Sequence, residues 1–252
     1  MRINDLWSPF GKEYARAPQW GPLERCYIGT FGMVDLPSRL RARVVIREAL
    51  KFKKEDVLDL GSGTGCYSFY FSRWPSTRVW GIDINESRIG DCEQISKQLK
   101  RNNLKFCTGD GHLGLQMFDS TCFDQVLLIE ALQCFPNSRL ALSEIHRILR
   151  PGGILIGHVP VLGYLREFEK TLFDDSTLKN LLREAGLEIM LFTPTFGGKI
   201  QKLCEIFNRA CRFRPLTASM FPLLLLVSGA FRIESPDGSY RLFVARKPIL
   251  FQ

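Results

Sequence analysis

Ten residues, Val57-Leu58-Asp59-Leu60-Gly61-Ser62-Gly63-Thr64-Gly65-Cys66, constrain this chain more than any others, because an apolar run holding an acid breaks into three glycines at alternate positions. Residues 57–60 are short, apolar and followed by a glycine-rich turn, which reads as a buried strand feeding a tight loop. Tyr67, Phe69, Tyr70 and Phe71 then suit a packed helix over 64–74 that stops before Pro75. Residues without side chains let backbone N–H groups and a helix N-terminus approach a ligand closely. Strand, loop and helix therefore make a nucleotide-binding turn.

The chain beyond it alternates in the same way. Arg78-Val79-Trp80-Gly81-Ile82-Asp83 reads as a second strand that again ends in an acid, and Asn85 caps a helix running to about residue 101. Residues 104–108 make a third strand before Gly109-Asp110-Gly111, and 123–129 a fourth that ends at Glu130. Residues 138–149 are helical, Arg150-Pro151-Gly152-Gly153 stops them, and 154–156 begin a fifth strand. Asp174-Asp175-Ser176 caps a helix that ends at Gly186, 187–192 form a sixth strand and 240–245 a seventh. Parallel strands need crossover connections, so this order predicts an α/β, doubly wound fold with a mostly parallel sheet and helices on both faces.

Two regions lie outside that alternation. Residues 1–35, with Trp7, Phe10, Tyr14, Trp20, Tyr27 and Phe31 among glycines and prolines, read as an irregular N-terminal arm capping the core, and 36–252 as the main domain. That domain opens with a helix over 36–51, with Leu40, Val44, Val45, Ala49 and Leu50 available to one side. Arg39, Arg43, Arg47 and Lys51 form a basic stripe on it, read first as a solvated face and second as an anion-facing one. The second region is an insertion at about 194–234. It holds a basic helix over 199–213, with Leu203, Ile206, Phe207 and Ala210 on one side, and an apolar run over 220–227. That run is far shorter than the roughly 20 residues a membrane span requires. It reads first as a buried helix, then as a pocket wall, or as a peripheral membrane contact through 216–232 flanked by arginines.

Composition narrows the class. A chain of 252 residues that is 45% hydrophobic and 24% charged is globular, with one core the better reading. Its eight cysteines form no CxxC pair and no cysteine–histidine cluster at zinc spacing, which fits reduced thiols, a cytoplasmic protein and no metal. Residues 1–11 hold no apolar core of signal-peptide length. A net charge of +8 suits an anionic partner or general solubility.

The acids around the glycines carry the argument further. Asp83 ends the second strand, where a carboxylate can accept hydrogen bonds from both hydroxyls of an adenosine ribose. The glycines alternate as GxGxG instead of GxGxxG, Asp59 precedes them, and Asp110 follows the third strand where an adenine amino group could be read. With VLDLGSGTG, VWGIDIN, FCTGDG, FDQVLLIEALQCF and EIHRILRPGG in this order, the chain resembles the class I S-adenosylmethionine-dependent methyltransferases over residues 36–160. The resemblance implies a Rossmann-like three-layer sandwich of seven strands, the last antiparallel, and S-adenosyl-L-methionine as cofactor, leaving as S-adenosyl-L-homocysteine. By the same resemblance, Gly61, Gly63 and Gly65 line the methionine part, with Asp59 near its amino group. Asp83 holds the ribose, Ile84 packs on adenine, Asp110 with Gly111 meets the adenine amino group, and Glu130 lies beside the cofactor near the substrate.

A sulfonium donor is already activated, so the protein must align the acceptor, exclude water and, for a hydroxyl acceptor, remove a proton. His158 follows the fifth strand at the carboxyl edge of the sheet and is the first choice of base, a satisfied strand-end histidine being the plain alternative. His112 sits toward the adenine side and His146 lies within a helix; Tyr14, Tyr164 and Glu130 are weaker candidates. The expected function is methyl transfer to a small-molecule or lipid-linked acceptor, at oxygen. Methylation of RNA is the alternative and nucleic acid the less favoured partner. Charge supports it, but Ile129-Glu130-Ala131-Leu132 stands where an Asn-Pro-Pro-Tyr type signature would follow the fourth strand. A non-catalytic cofactor-binding subunit is the third reading.

Overall fold

In the computed structural model, which describes residues 10–32, 35–111, 113–161, 173–210 and 232–249, the apolar segments pair into one seven-stranded sheet. Strand β1 (Asp56–Leu60) is buried at every residue because it is sandwiched between neighbours. It runs parallel to β2 (Arg78–Asp83) on one side and β4 (Phe123–Ile129) on the other. Beyond these lie β3 (Leu104–Thr108), β5 (Leu149–Pro160), β6 (Glu188–Thr195) and β7 (Tyr240–Arg246), in the order β3-β2-β1-β4-β5-β7-β6. Strand β7 is antiparallel to both β5 and β6. The expected doubly wound sheet with an antiparallel last strand is thus borne out. Its order reverses between β1 and β4, which opens a crevice at their carboxyl ends.

Local chemistry explains the helices. Asn85 accepts the Arg88 amide at 3.0 Å to start the helix Glu86–Gln98, and Asp174 accepts the Thr177 amide at 2.6 Å to start Asp175–Glu184. The helix Ser138–Ile148 buries Ala141, Leu142, Ile145 and Ile148 under the sheet. The helix after the glycine loop spans only Cys66–Phe71, shorter than its aromatic run suggests. Ser72 Oγ donates to the Phe69 carbonyl at 3.0 Å, a side-chain bond that competes with continuing the helix.

The expectation of an irregular arm needs correction. Lys12–Arg16 form a 3-10 turn and Pro22–Phe31 a helix with proline in its first turn, where a missing amide costs nothing. Phe10 packs edge-on against Tyr67 at 5.1 Å, and the buried Glu13 bridges to Arg73 at 3.0 Å. The arm therefore clasps the helix that follows the loop.

The helix Leu36–Ala49 buries Leu40, Val44, Val45 and Ala49 as its pattern implies, while Leu50 is half exposed. Its basic stripe is only partly solvated. Arg39 donates to the Phe31 carbonyl, and Arg47 pairs with Glu48 and with Glu234 at 2.8 Å. The helix Gly198–Ala210 turns Ile200, Cys204 and Phe207 inward and leaves Ile206 exposed, so its buried face is rotated from the expected one. Strand β6 runs through Pro194 to Thr195, three residues past the expected end, because an edge strand tolerates proline. Among the described residues no helix is long and apolar enough to cross a membrane. The apolar run 220–227, the segment 216–232, Tyr164 and His112 lie outside the described residues.

Candidate cofactor and acceptor site

At the carboxyl end of β1 the chain turns through Gly61, Gly63 and Gly65, whose φ angles of 78°, 54° and 70° are all left-handed. The amides of Gly61 and Ser62 both donate to the Ile82 carbonyl at 2.8 Å, which ties the loop to β2. A methyl group on Gly61 would overlap the Ala131 side chain, so the loop is pressed against the segment after β4. A methyl group on Gly63 would meet nothing within 4 Å. That side of the loop is open.

The sequence-predicted acids divide into two kinds. Asp83 faces the loop: Oδ2 accepts the Gly63 amide at 2.7 Å and Oδ1 the Asn85 amide at 2.9 Å. Each carboxylate oxygen has a second lone pair, so acceptor capacity is left for a ribose. Asp59 faces inward, where Oδ2 accepts the Ser68 amide at 3.0 Å and hydroxyl at 2.6 Å. Burial pushes its pKa up to about 6 against the pull of those Ser68 bonds. Its place is behind the loop, holding the start of the next helix.

Ile84 projects beside Asp83 with 73% of its surface exposed, an aliphatic side chain presented to solvent at the sheet edge. The Gly109 amide donates to the Asp83 carbonyl at 3.0 Å, which brings Asp110 and Gly111 to the same edge. Gly111 has the Phe135 ring against its Cα, leaving no room for a side chain.

Glu130 closes the site from the β4 side. It holds a left-handed φ of 52°, and its amide donates to the His158 carbonyl at 2.7 Å. Strain of this kind collects at functional positions. Its carboxylate pairs with Arg41, whose Nη2 donates to Ser38 Oγ at 2.9 Å. Burial lowers the Arg41 pKa, the Glu130 carboxylate raises it, and the net effect is upward. Sequence reasoning missed Arg41. The signal was there: it lies one helical turn before the buried Val45 and two before the buried Glu48, a charge on the inward face.

His158 is fully buried. Its Nε2 shares a 3.0 Å hydrogen bond with Thr195 Oγ1, Nδ1 has no partner, and the ring stacks on Tyr240 at 5.1 Å with Phe196 edge-on. Burial, helped by Arg41, holds it well below the ordinary imidazole pKa, so it is neutral. Tyr240 and Phe196 in turn line a pocket of about 160 Å³ together with Pro37, Arg41, Glu130 and Cys204. His158 is behind this wall, not on it. His146 lies far off in its helix, against Gly186.

Two further observations fit these residues to the cofactor that the resemblance implies. Ser62 Oγ, Tyr67 OH and Arg41 Nε are buried polar atoms without hydrogen-bond partners, and all belong to the loop, the helix after it or the residue facing that helix. Buried polar groups are normally satisfied, so an orphaned set beside an open glycine marks a place for a polar ligand. An acceptor carboxylate, an exposed aliphatic side chain and a second acid follow along the edge in the order that ribose, adenine ring and adenine amino group would need.

The family model described as a methyltransferase domain matches residues 51–210. Among curated relatives, an O-methyltransferase of Penicillium expansum is 29% identical over 166 residues, which cover 61% of this chain and 59% of that protein. The phthiotriol/phenolphthiotriol dimycocerosates methyltransferase of Mycobacterium tuberculosis is 33% identical, with 47% of this chain and 43% of that protein covered. The chain thus spans about half the length of these curated relatives. Of solved structures, the cyclase SpnF superposes with a TM-score of 0.62 at 20% identity, covering 85% of this chain and 82% of that one. That likeness concerns the fold alone, on which different reactions can be built. On the match over residues 51–210, the chain belongs to the methyltransferase domain family, and with it to the class I S-adenosylmethionine-dependent methyltransferases.

Proposed function

We propose that the protein transfers a methyl group from S-adenosylmethionine to a small-molecule or lipid-linked acceptor, at oxygen. The observation that carries this reading is the pocket lined by Glu130, Phe196, Tyr240 and Pro37, because the next residue after Glu130, Ala131, packs against Gly61 of the glycine loop. Such a mixed apolar and polar cleft at the switch point of the sheet suits a small organic acceptor. The relatives' names point the same way, one to O-methylation and one to a triol.

Bound at the loop, the sulfonium cofactor supplies an activated methyl group. The chain's own residues do the rest. Gly61, Gly63 and Gly65 receive the methionine part, and Asp59 secures the helix behind them through Ser68. Asp83 holds the ribose, Ile84 covers adenine, and Asp110 and Gly111 meet its amino edge. Phe196 and Tyr240 exclude water from the acceptor. We keep His158 as the candidate base because its imidazole is neutral and Nδ1 is unpartnered, a role that requires the Tyr240 ring to move aside. None of the seven described cysteines forms a disulfide, which supports a cytoplasmic location.

A second reading, methylation of RNA, draws on one observation. Lys97, Lys100, Arg101 and Lys105 line a cleft of about 580 Å³ on the outer side of β3. The experiment that decides is incubation of the protein and labelled cofactor with a metabolite and lipid extract and, separately, with RNA, read by the mass gain of one methyl group. Transfer to an extract component supports the first reading and transfer to RNA the second. Cofactor binding without transfer to either would leave a non-catalytic binding protein.

A further inference from the structure

The net charge of +8 has no counterpart in the acceptor pocket, where Asp35, Glu130 and Glu205 stand against Arg41 alone among the lining residues. Positive charge collects instead at the other end of the sheet. Lys97, Lys100, Arg101 and Lys105 line the 580 Å³ cleft where the helix Glu86–Gln98 ends and β3 begins, and Glu93 is the only carboxylate lining it. A second cleft of about 380 Å³ continues beneath the starts of β2, β1 and β4, lined by Arg78, Asp56 and Phe123. The two clefts share Trp80, Asn102 and Lys105, so they form one groove.

The cations of this groove differ in how they are engaged. Asp56 holds both Arg78 and Arg150, whereas Lys97, Lys100, Arg101 and Lys105 make no ion pair among the described residues. Arg101 Nη1 donates to the Ser72 carbonyl at 3.4 Å, and its Nε is buried without a partner. Lys100 holds a left-handed φ of 53°, a conformation that costs a residue with a side chain. Where the clefts meet, the half-buried Trp80 ring has Phe118 packed at 5.2 Å and the Lys105 ammonium 4.9 Å from its centroid. A ring face that a solvated ammonium can cover is a face that a ligand can reach.

Unpaired cations along a groove with an aromatic face among them are what a single strand needs, because phosphates take the ammonium groups and an unpaired base stacks on the ring. A duplex keeps its bases stacked inside, and a flat membrane surface does not enter a concave cleft. We propose that this groove binds a single-stranded nucleic acid, with Lys97, Lys100, Arg101 and Lys105 on its phosphates and Trp80 stacked on a base in place of the Lys105 ammonium. The strands that line the groove begin there, while the glycine loop follows the carboxyl end of β1. Nucleotides seated in the groove are therefore held away from that loop and are not the methyl acceptor. The inference does not depend on the cofactor reading.

The test is fluorescence anisotropy of labelled uridine and thymidine oligonucleotides of about 12 nucleotides, titrated with the full-length protein at several salt concentrations. The wild type is expected to bind with a log–log salt slope of about −2.8, four phosphate contacts at roughly 0.7 each. Tighter binding of the uridine strand identifies RNA as the source, and equal binding a single strand of either kind; both support the site. The Lys97→Gln/Lys100→Gln variant is expected to bind more weakly with a slope nearer about −1.4, and to keep wild-type affinity for S-adenosylhomocysteine. Trp80→Leu is expected to lose about 10-fold in affinity at unchanged slope, and Trp80→Phe, which keeps a ring face, to retain most of it. No binding at low salt overturns the assignment, and so does binding that the lysine variant leaves unchanged. Equal displacement by a duplex or by polyglutamate reduces the groove to a general polyanion surface and overturns it, as does capture by phosphatidylserine vesicles without oligonucleotide binding. Methylation of the bound oligonucleotide overturns the separation of groove from acceptor pocket.

Discussion

Asp83, at the carboxyl end of β2, ties down the loop that follows β1: its Oδ2 accepts the Gly63 amide at 2.7 Å, so one carboxylate anchors the open turn and, in the proposed cofactor reading, holds the ribose as well. Asp83→Ala removes both functions and is expected to weaken S-adenosylhomocysteine by about 10- to 100-fold in calorimetry. Asp83→Asn keeps one acceptor oxygen and is expected to fall between. An alanine variant with unchanged affinity would show that the ribose is held elsewhere.

Gly61 and Gly63 separate backbone from packing. Both require left-handed φ, which costs an alanine about 1–2 kcal/mol. At Gly61 the added methyl also collides with Ala131, bringing the expected loss to about 2–5 kcal/mol, whereas at Gly63 it enters open space. Urea unfolding should therefore rank Gly61→Ala well below Gly63→Ala. The second variant should lose only the roughly 1–2 kcal/mol of backbone strain yet bind S-adenosylhomocysteine poorly, because its methyl occupies the ligand's side of the turn.

Asp59 ties stability to pH. Its folded pKa of about 6 lies above the ordinary 3.8, so folding favours the protonated form. That contribution is whole below pH 3.8 and is lost as pH rises to about 6, a change on the order of 3 kcal/mol. Asp59→Asn cannot ionise. The stability of the variant relative to the wild type should grow by roughly that amount between pH 4 and 7; a gap that stays constant over this range would contradict the buried, strained carboxylate.

His158 has the opposite slope. Its pKa is depressed, so its contribution is present above the ordinary value of 6.5 and is lost as pH falls below it. His158→Gln should unfold less steeply in acid than the wild type. If the imidazole is the base, turnover falls by about 10²- to 10⁴-fold with S-adenosylhomocysteine affinity unchanged. Full turnover with cofactor binding intact would leave it a packing residue beneath Tyr240.

The strands and the loop were legible because their signals are local. Apolar runs punctuated by Gly61 or Gly111 define them without reference to anything distant, whereas β5 begins at Leu149 and runs through the Arg150–Gly153 turn that was expected to precede it. The capping residues Asn85 and Asp174 were equally plain. What was not legible depended on contacts across the chain. Arg41, outside the Arg39, Arg43, Arg47 and Lys51 stripe, is fixed by Glu130, 89 residues later, so its partner could not be read from the helix. Asp59 was expected to point toward the ligand, but Ser68 draws it inward. His158 stands at the correct end of its strand, yet β7 carries Tyr240 over it, a placement set by the antiparallel register and by no feature of residues 154–160.

Strand β7 has a consequence for how the protein is made. It lies between β5 and β6, so neither of those strands can complete its ladder until residues 240–246 have left the ribosome. Throughout synthesis of the preceding segment the nascent chain carries two open, largely apolar strand edges, the feature that invites pairing between chains. Release of the last strand is then the step that closes the sheet, and a message truncated within it yields a protein with a complete glycine loop and no means of sealing the fold around it.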